Sequence, residues 1–162
     1  VEDDAGVIGG ALEFTEKSVS EIMVPREQVQ TLTLGCTPAE LEHAVARTGY
    51  SRFIVTDPEG SYMGYLHLKD ALAVPPAREH IPFGWRLVRS MSVVAPETDI
   101  DDALAIMQGN NSHLAHVVGS NGRSLGVVFM EDVLEELVGE IKDTTQDRVR
   151  RLQAASRASN DK

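Results

Sequence analysis

Apolar and polar positions change rhythm along this chain in an order that occurs twice. After a helix break at Pro25, Val29, Thr31 and Thr33 alternate with Gln30, Leu32 and Leu34, the two-residue period of a strand. Leu41, Ala44, Val45 and Thr48 then recur at helical spacing. Thr37 supplies an N-cap for that helix, Pro38 suits its first position, Glu40 completes a capping box, and Gly49 ends it. Residues 51–56 read as a buried strand, Asp57-Pro58-Glu59-Gly60 as a turn, and residues 62–68 as the returning strand of a hairpin. Asp70 opens a further helix, which Pro75-Pro76 stops.

The same order returns downstream. Thr98 and Asp101 predict a second capped helix start, with Ile100, Ala103, Leu104 and Met107 on its apolar face. Residues 112–118 and 125–130 are strands around the turn Gly119-Ser120-Asn121-Gly122. From Asp132 a helix runs with Leu134, Leu137, Val138 and Ile141 on one face. Residues 1–17 are expected to form a short leading helix or linker and residues 77–85 a connector. The polar, Arg-rich stretch from Thr144 is expected to be a frayed or disordered tail.

Thr37 to Ser51 spans 14 positions, as does Thr98 to Ser112; Gly64 to Asp70 spans six, as does Gly126 to Asp132. The halves are thus offset by 61 residues in one block and 62 in the other, the mark of a duplicated supersecondary unit. Each unit reads β-α-β-β-α, too little to be stable alone, so the pair is expected to pack its sheets face to face about a pseudo-twofold axis. The fold class is mixed α/β.

Composition narrows the chemistry. With 42% hydrophobic and 25% charged residues the chain has the makeup of a globular domain. A net charge of -10 argues against nucleic acid as a partner, because phosphate binding needs clustered cations. The single cysteine, Cys36, excludes an internal disulfide and a Cys-rich metal site. No apolar run approaches the roughly 18 residues of a spanning helix, and a chain that begins with Val1 is expected to be a piece of a longer protein. No catalytic motif is evident, so the expectation is not an enzyme. The acidic ridge Glu131, Asp132, Glu135, Glu136 and Glu140 reads as a solvated helix face, with no protein metal site.

Three stretches carry a resemblance to a known family: Glu21-Ile22-Met23-Val24-Pro25-Arg26, then Gly49 to Val55, then Ser112 to Val118 followed by Gly126 to Ile141. Together they resemble a tandem cystathionine-β-synthase (CBS) domain pair, or Bateman module. The likeness is to the pairs of CorC-like and cyclin-M-like magnesium and cobalt efflux proteins, also named hemolysins. It covers about residues 12–143, with the first repeat at 18–76 and the second at 86–143, ahead of a tail at 144–162.

The resemblance implies binding of an adenosine nucleotide (ATP or AMP, Mg-linked) between the repeats. The family's Gly-x-x-Thr/Ser-x-x-Asp motif falls on Gly64 and Asp70 in the first repeat and on Gly126 and Asp132 in the second. Such a carboxylate accepts from ribose hydroxyls beside a helix N-terminus that favours phosphate. Ser51 with Arg52, and His113 in the equivalent place, are the further candidates, for phosphate contact. The motif's hydroxyl position holds His67 and Phe129, and neither is expected to replace a threonine there. The resemblance also implies a homodimer, an adjoining transmembrane domain and a place on the cytoplasmic face of the membrane. Two other readings stay open: a ligand-free structural dimerisation module, and a regulatory insert of a soluble enzyme.

Overall fold

The computed structural model describes residues 17–160; the expected leading helix of residues 1–17 lies almost wholly outside them. The described chain opens with helix α1 (Val19–Ile22) and the two-residue strand β1 (Val24–Pro25). The first unit follows: β2 (Thr31–Thr33), α2 (Pro38–Thr48), β3 (Arg52–Thr56), β4 (Tyr62–His67) and α3 (Leu68–Leu72). The second repeats it: β5 (Ser92–Val94), α4 (Ile100–Gly109), β6 (Leu114–Val118), β7 (Ser124–Phe129) and α5 (Met130–Asn160).

Local signals explain the first unit. Thr37 Oγ1 accepts the Glu40 N–H at 3.2 Å, Pro38 occupies the first turn, and Gly49 closes α2 with a left-handed φ of 79°. Asp57 Oδ1 accepts from the N–H groups of Glu59 and Ser61, both at 2.9 Å, and shapes the β3–β4 turn. In α4 the cap differs from expectation. Asp99, not Thr98, is the N-cap residue, because the entering chain uses this corner: Val19 N–H donates to Thr98 O and Ile100 N–H to Lys17 O.

Both sheets are built alike. In each, the first strand pairs parallel with the second (β2 with β3, β5 with β6), and the second pairs antiparallel with the third. A short crossing segment then adds to the third strand, and it comes from ahead of the other unit. Val24 pairs with Val127 in β7, and Arg89, just before β5, pairs with Tyr65 in β4. The two crossings need glycine. A Cβ on Gly126 would sit 2.1 Å from the Val24 carbonyl oxygen, and one on Gly64 would sit 2.3 Å from that of Arg89.

Each sheet covers its own helices with one face: Leu41, Ala44, Phe53, Leu66 and Ala71 in the first unit, Ile100, Ala103, Met107, Ala115 and Val128 in the second. Val19 of α1 is buried in the second unit's core, so residues 19–25 serve that half although they precede the first. The opposite faces meet through Ile54, Tyr65, Leu114 and Val127, which form the face-to-face packing that the repeat predicts.

Helix α5 departs from the sequence reading twice. It starts at Met130, and Val133 and Leu137 face the core while Leu134, Val138 and Ile141 are 41, 49 and 53% exposed. It also runs unbroken to Asn160 rather than fraying at Thr144. Good helix formers (Gln146, Arg148, Arg150, Arg151, Leu152, Gln153, Ala154) carry it past the core.

Candidate functional site

Where the ends of β3 and β7 face each other, the two units leave a cleft of about 280 Å³ lined by Val24, Tyr50, Ser51, Arg52, Phe129, Glu131 and Asp132. Tyr50, Ser51 and Arg52 come from the start of β3 in the first unit; Phe129, Glu131 and Asp132 come from the β7–α5 joint in the second. The cleft runs on into a narrower slot that adds Gln28, Val29, Gln30 and Ile54. One end is therefore charged and the other apolar with two amides at its edge. Of the expected site residues, Ser51, Arg52 and Asp132 share this cleft, and Gly126 backs it by letting Val24 approach.

Arg52 crosses the cleft. Its Nη1 donates to Glu131 Oε1 at 2.5 Å, with the arginine side chain 16% exposed and the glutamate 68%. Asp132, half-buried at the third position of α5, accepts no hydrogen bond from the described residues. Burial, and then the charges of Glu135 and Glu131, hold its carboxyl above the ordinary carboxylate value. An under-satisfied carboxylate in a cleft has acceptor capacity to offer a hydroxyl-bearing ligand. Phe129 gives up N-capping of α5 and packs instead beside the inter-sheet cluster, as a wall of the slot.

The equivalent place in the first unit is already occupied. Arg89 Nη2 and Nε donate to the two oxygens of Asp70 at 2.7 and 3.2 Å, and His67 N–H donates to Oδ2 at 2.8 Å. Burial alone would raise the Asp70 carboxyl, but these donors outweigh it and hold it below the ordinary value. His67 corrects the sequence expectation. Its Nδ1 accepts the Lys69 N–H at 2.9 Å, so the ring performs the capping that the motif's hydroxyl performs. Burial, then Arg52 and Lys69, lower its pKa and keep it neutral, as an accepting nitrogen must be.

The remaining candidates stand apart from the open cleft. Gly64 lies under the Arg89 crossing, and His113 is exposed, with its N–H donating to the Tyr65 hydroxyl at 3.3 Å. Sequence reasoning missed Arg89 and the Arg52–Glu131 pair. The available signal for Arg89 was its place ahead of β5, where Val24 stands ahead of β2. Asp99, Asp101 and Asp102 bring carboxylates within 4.8 Å of one another at the start of α4, outside the cleft.

The doubled unit with crossed entry segments has a match among known families: the CBS domain pattern fits residues 19–76 and 87–139. The chain belongs to the CBS domain family. Relatives of this CBS pair include an uncharacterized Mycobacterium tuberculosis protein, 39% identical over 83% of this chain and 40% of its own length. Hemolysin C of Rickettsia prowazekii is 30% identical over 87% of this chain and 47% of its own. The magnesium and cobalt efflux protein CorC of Buchnera aphidicola is 29% identical over 96% and 55%. The chain thus spans about half the length of these relatives or less. Among solved structures, the CBS domain of a bacterial CNNM/CorC family Mg2+ transporter in complex with ATP superposes with a TM-score of 0.71. It is 27% identical over 85% of this chain and 98% of that one. No helix among the described residues is long and apolar enough to cross a membrane.

Proposed function

We propose that this CBS pair is a regulatory module that binds an adenosine nucleotide in the cleft between its units. The observation that carries the reading is the meeting, in one cleft, of an apolar slot, an under-satisfied carboxylate (Asp132) and a guanidinium (Arg52). The cleft has room for a purine laid against the apolar rim formed by Val24 and Phe129, Asp132 suits a ribose diol, and Arg52 suits phosphate oxygens once these displace Glu131. Binding at a cleft built from both units favours one mutual arrangement of them, which is how a ligand shifts a conformational population. The reading involves binding without catalysis.

The relatives extend it. Proteins named for magnesium and cobalt efflux contain a region similar to this chain, so we place the pair beside a membrane domain, on its cytoplasmic face, as a nucleotide-sensitive regulator of cation efflux. The exposed stripe of Leu134, Val138 and Ile141 on α5 supports self-association as a homodimer. Light scattering that returns a monomer mass at micromolar concentration rejects the dimer.

Calorimetric titration with ATP and AMP, each with and without Mg2+, tests the ligand. Saturable heat together with a raised melting temperature is expected. Absence of both at millimolar nucleotide rejects the reading. A second reading, a ligand-free structural dimerisation module, is favoured by one contact: the Arg52–Glu131 pair already satisfies the guanidinium. The same titration decides between them.

A further inference from the structure

We propose that Arg89 is a built-in occupant of the first unit's cleft, so that the pair takes one nucleotide per chain and holds a latent second site behind an internal ion pair. The strand register identifies Arg89 as the counterpart of Val24. Each is the crossing residue beside a motif glycine, Val24 against Val127 and Arg89 against Tyr65. The rest of the open cleft maps in the same way, with Asp132 onto Asp70, Phe129 onto His67, Ser51 onto Ser112 and Arg52 onto His113.

The two sets differ in ways that all act against a ligand in the first unit. Val24 has no polar group with which to reach Asp132, whereas Arg89 sends two donors to Asp70. A charged fork on a carboxylate is a stronger match than the neutral diol of a ribose, and a guanidinium does not lose its charge. The serines diverge too. Ser51 lines the open cleft, while Ser112 is buried, donating to Leu114 O at 2.5 Å and accepting from Ser92 N–H at 3.1 Å. His67, neutral and capping, completes a polar network in which both Asp70 oxygens already accept.

This inference rests on the reading that the open cleft takes a nucleotide, and the stoichiometry of ATP binding separates the two. Wild type is expected to bind one ATP per chain, and Asp132→Asn to bind it about 30-fold more weakly and leave no saturable site at the wild-type titration concentrations. Arg89→Met is expected to bind two, the new one more weakly, and Arg89→Met with Asp132→Asn to bind one. A natively melting Arg89→Met that still binds one ATP overturns the proposal and leaves the open cleft standing. Wild type binding none while Arg89→Met binds one has the reverse meaning: the occupant is real and the open cleft is not the site. Two ATP bound by wild type overturns it as well. If Arg89→Met does not fold, Asp70→Asn decides. Unchanged stoichiometry with affinity within twofold of wild type supports an occupied first cleft, and loss of a bound ATP refutes it.

Discussion

The two helix starts that close the units, α3 at Asp70 and α5 at Asp132, share a backbone path and are held by opposite means. At the first, His67 caps the helix, Asp70 accepts back from His67 N–H, and Arg89 takes what remains of the carboxylate. At the second, Phe129 offers no acceptor, Asp132 has no partner among the described residues, and the nearby guanidinium of Arg52 bonds Glu131 instead. One joint has its polar capacity satisfied from within, and the other leaves it facing a cleft. Buried or half-buried polar groups are costly when unpaired, so a joint that stays open is destabilised unless something else pairs with it. The comparison therefore assigns stability to the first joint and, under the proposed function, the ligand to the second.

The comparison assumes that the crossings are equivalent, and the most severe test is on the glycines. Alanine at Gly126 or Gly64 places a Cβ within 2.1 or 2.3 Å of a carbonyl oxygen, and backbone yields poorly. Each substitution is expected to cost about 3 kcal/mol, the upper end of the range for overpacking. Denaturant melts measure it. A cost below about 1 kcal/mol at either glycine breaks the equivalence of Val24 and Arg89. Next in size comes the ligand. Asp132→Asn is expected to weaken nucleotide binding by about 30-fold, or about 2 kcal/mol, as for loss of a charge-assisted hydrogen bond. Asp70→Asn is expected to leave the affinity within twofold, and equal losses in calorimetry would erase the difference between the joints.

How much of this was legible in the chain depends on the range of the interaction. The caps at Thr37 and Gly49, and the carboxylates at two strand-helix joints, are local or repeat at fixed spacing, so they stand out in the sequence. Arg89 does not. Its partnership with Asp70 arises because the segment ahead of each unit crosses to the other, and no short-range spacing encodes a crossing. The same cause moved the α4 cap, since Lys17 and Val19 reach that corner from the far end of the chain. The face of α5 was misread for a different reason. Leu134, Val138 and Ile141 recur at helical spacing, but the buried stripe is the neighbouring one through Val133 and Leu137, and spacing alone does not say which of two adjacent apolar stripes meets the core.

Stability gives a third contrast, with opposite signs at the two carboxylates. Asp70 has a depressed pKa in the folded protein, so its contribution is present above the unfolded carboxylate value and is lost as pH falls through the folded one. Asp132 is raised, so its contribution is full below the unfolded value and is lost as pH rises through the folded one. At pH 7, Asp70→Asn is expected to cost about 1 kcal/mol, a charge-assisted pair discounted for its half-exposed Arg89. Asp132→Asn is expected to cost nothing or to stabilise. Melting temperatures of both variants between pH 3 and 7 check this, and a destabilised Asp132→Asn would mean that its carboxylate is paired in solution.

The smallest effect lies between the sheets, where His116 of the second unit meets Tyr62 of the first at a ring separation of 4.8 Å. His116 Nε2 is 2.7 Å from the Ser124 hydroxyl, and Arg26 stacks on Tyr62 at 5.1 Å. Burial, and then the Arg26 charge, lower the histidine pKa in the folded protein. A histidine held neutral contributes stability above its ordinary value, near 6.5, and loses it as pH falls from there toward the folded value, because the unfolded chain takes up the proton first. Stability is thus expected to decline from pH 7 to 5 in wild type and to decline less steeply in His116→Gln, which retains a hydrogen-bonding side chain beside Ser124 and leaves His67 to supply the remaining slope. The readout is chemical denaturation at each pH. Parallel curves would show that this contact carries no pH sensitivity, and that acid acts on the pair through His67 and the carboxylates instead.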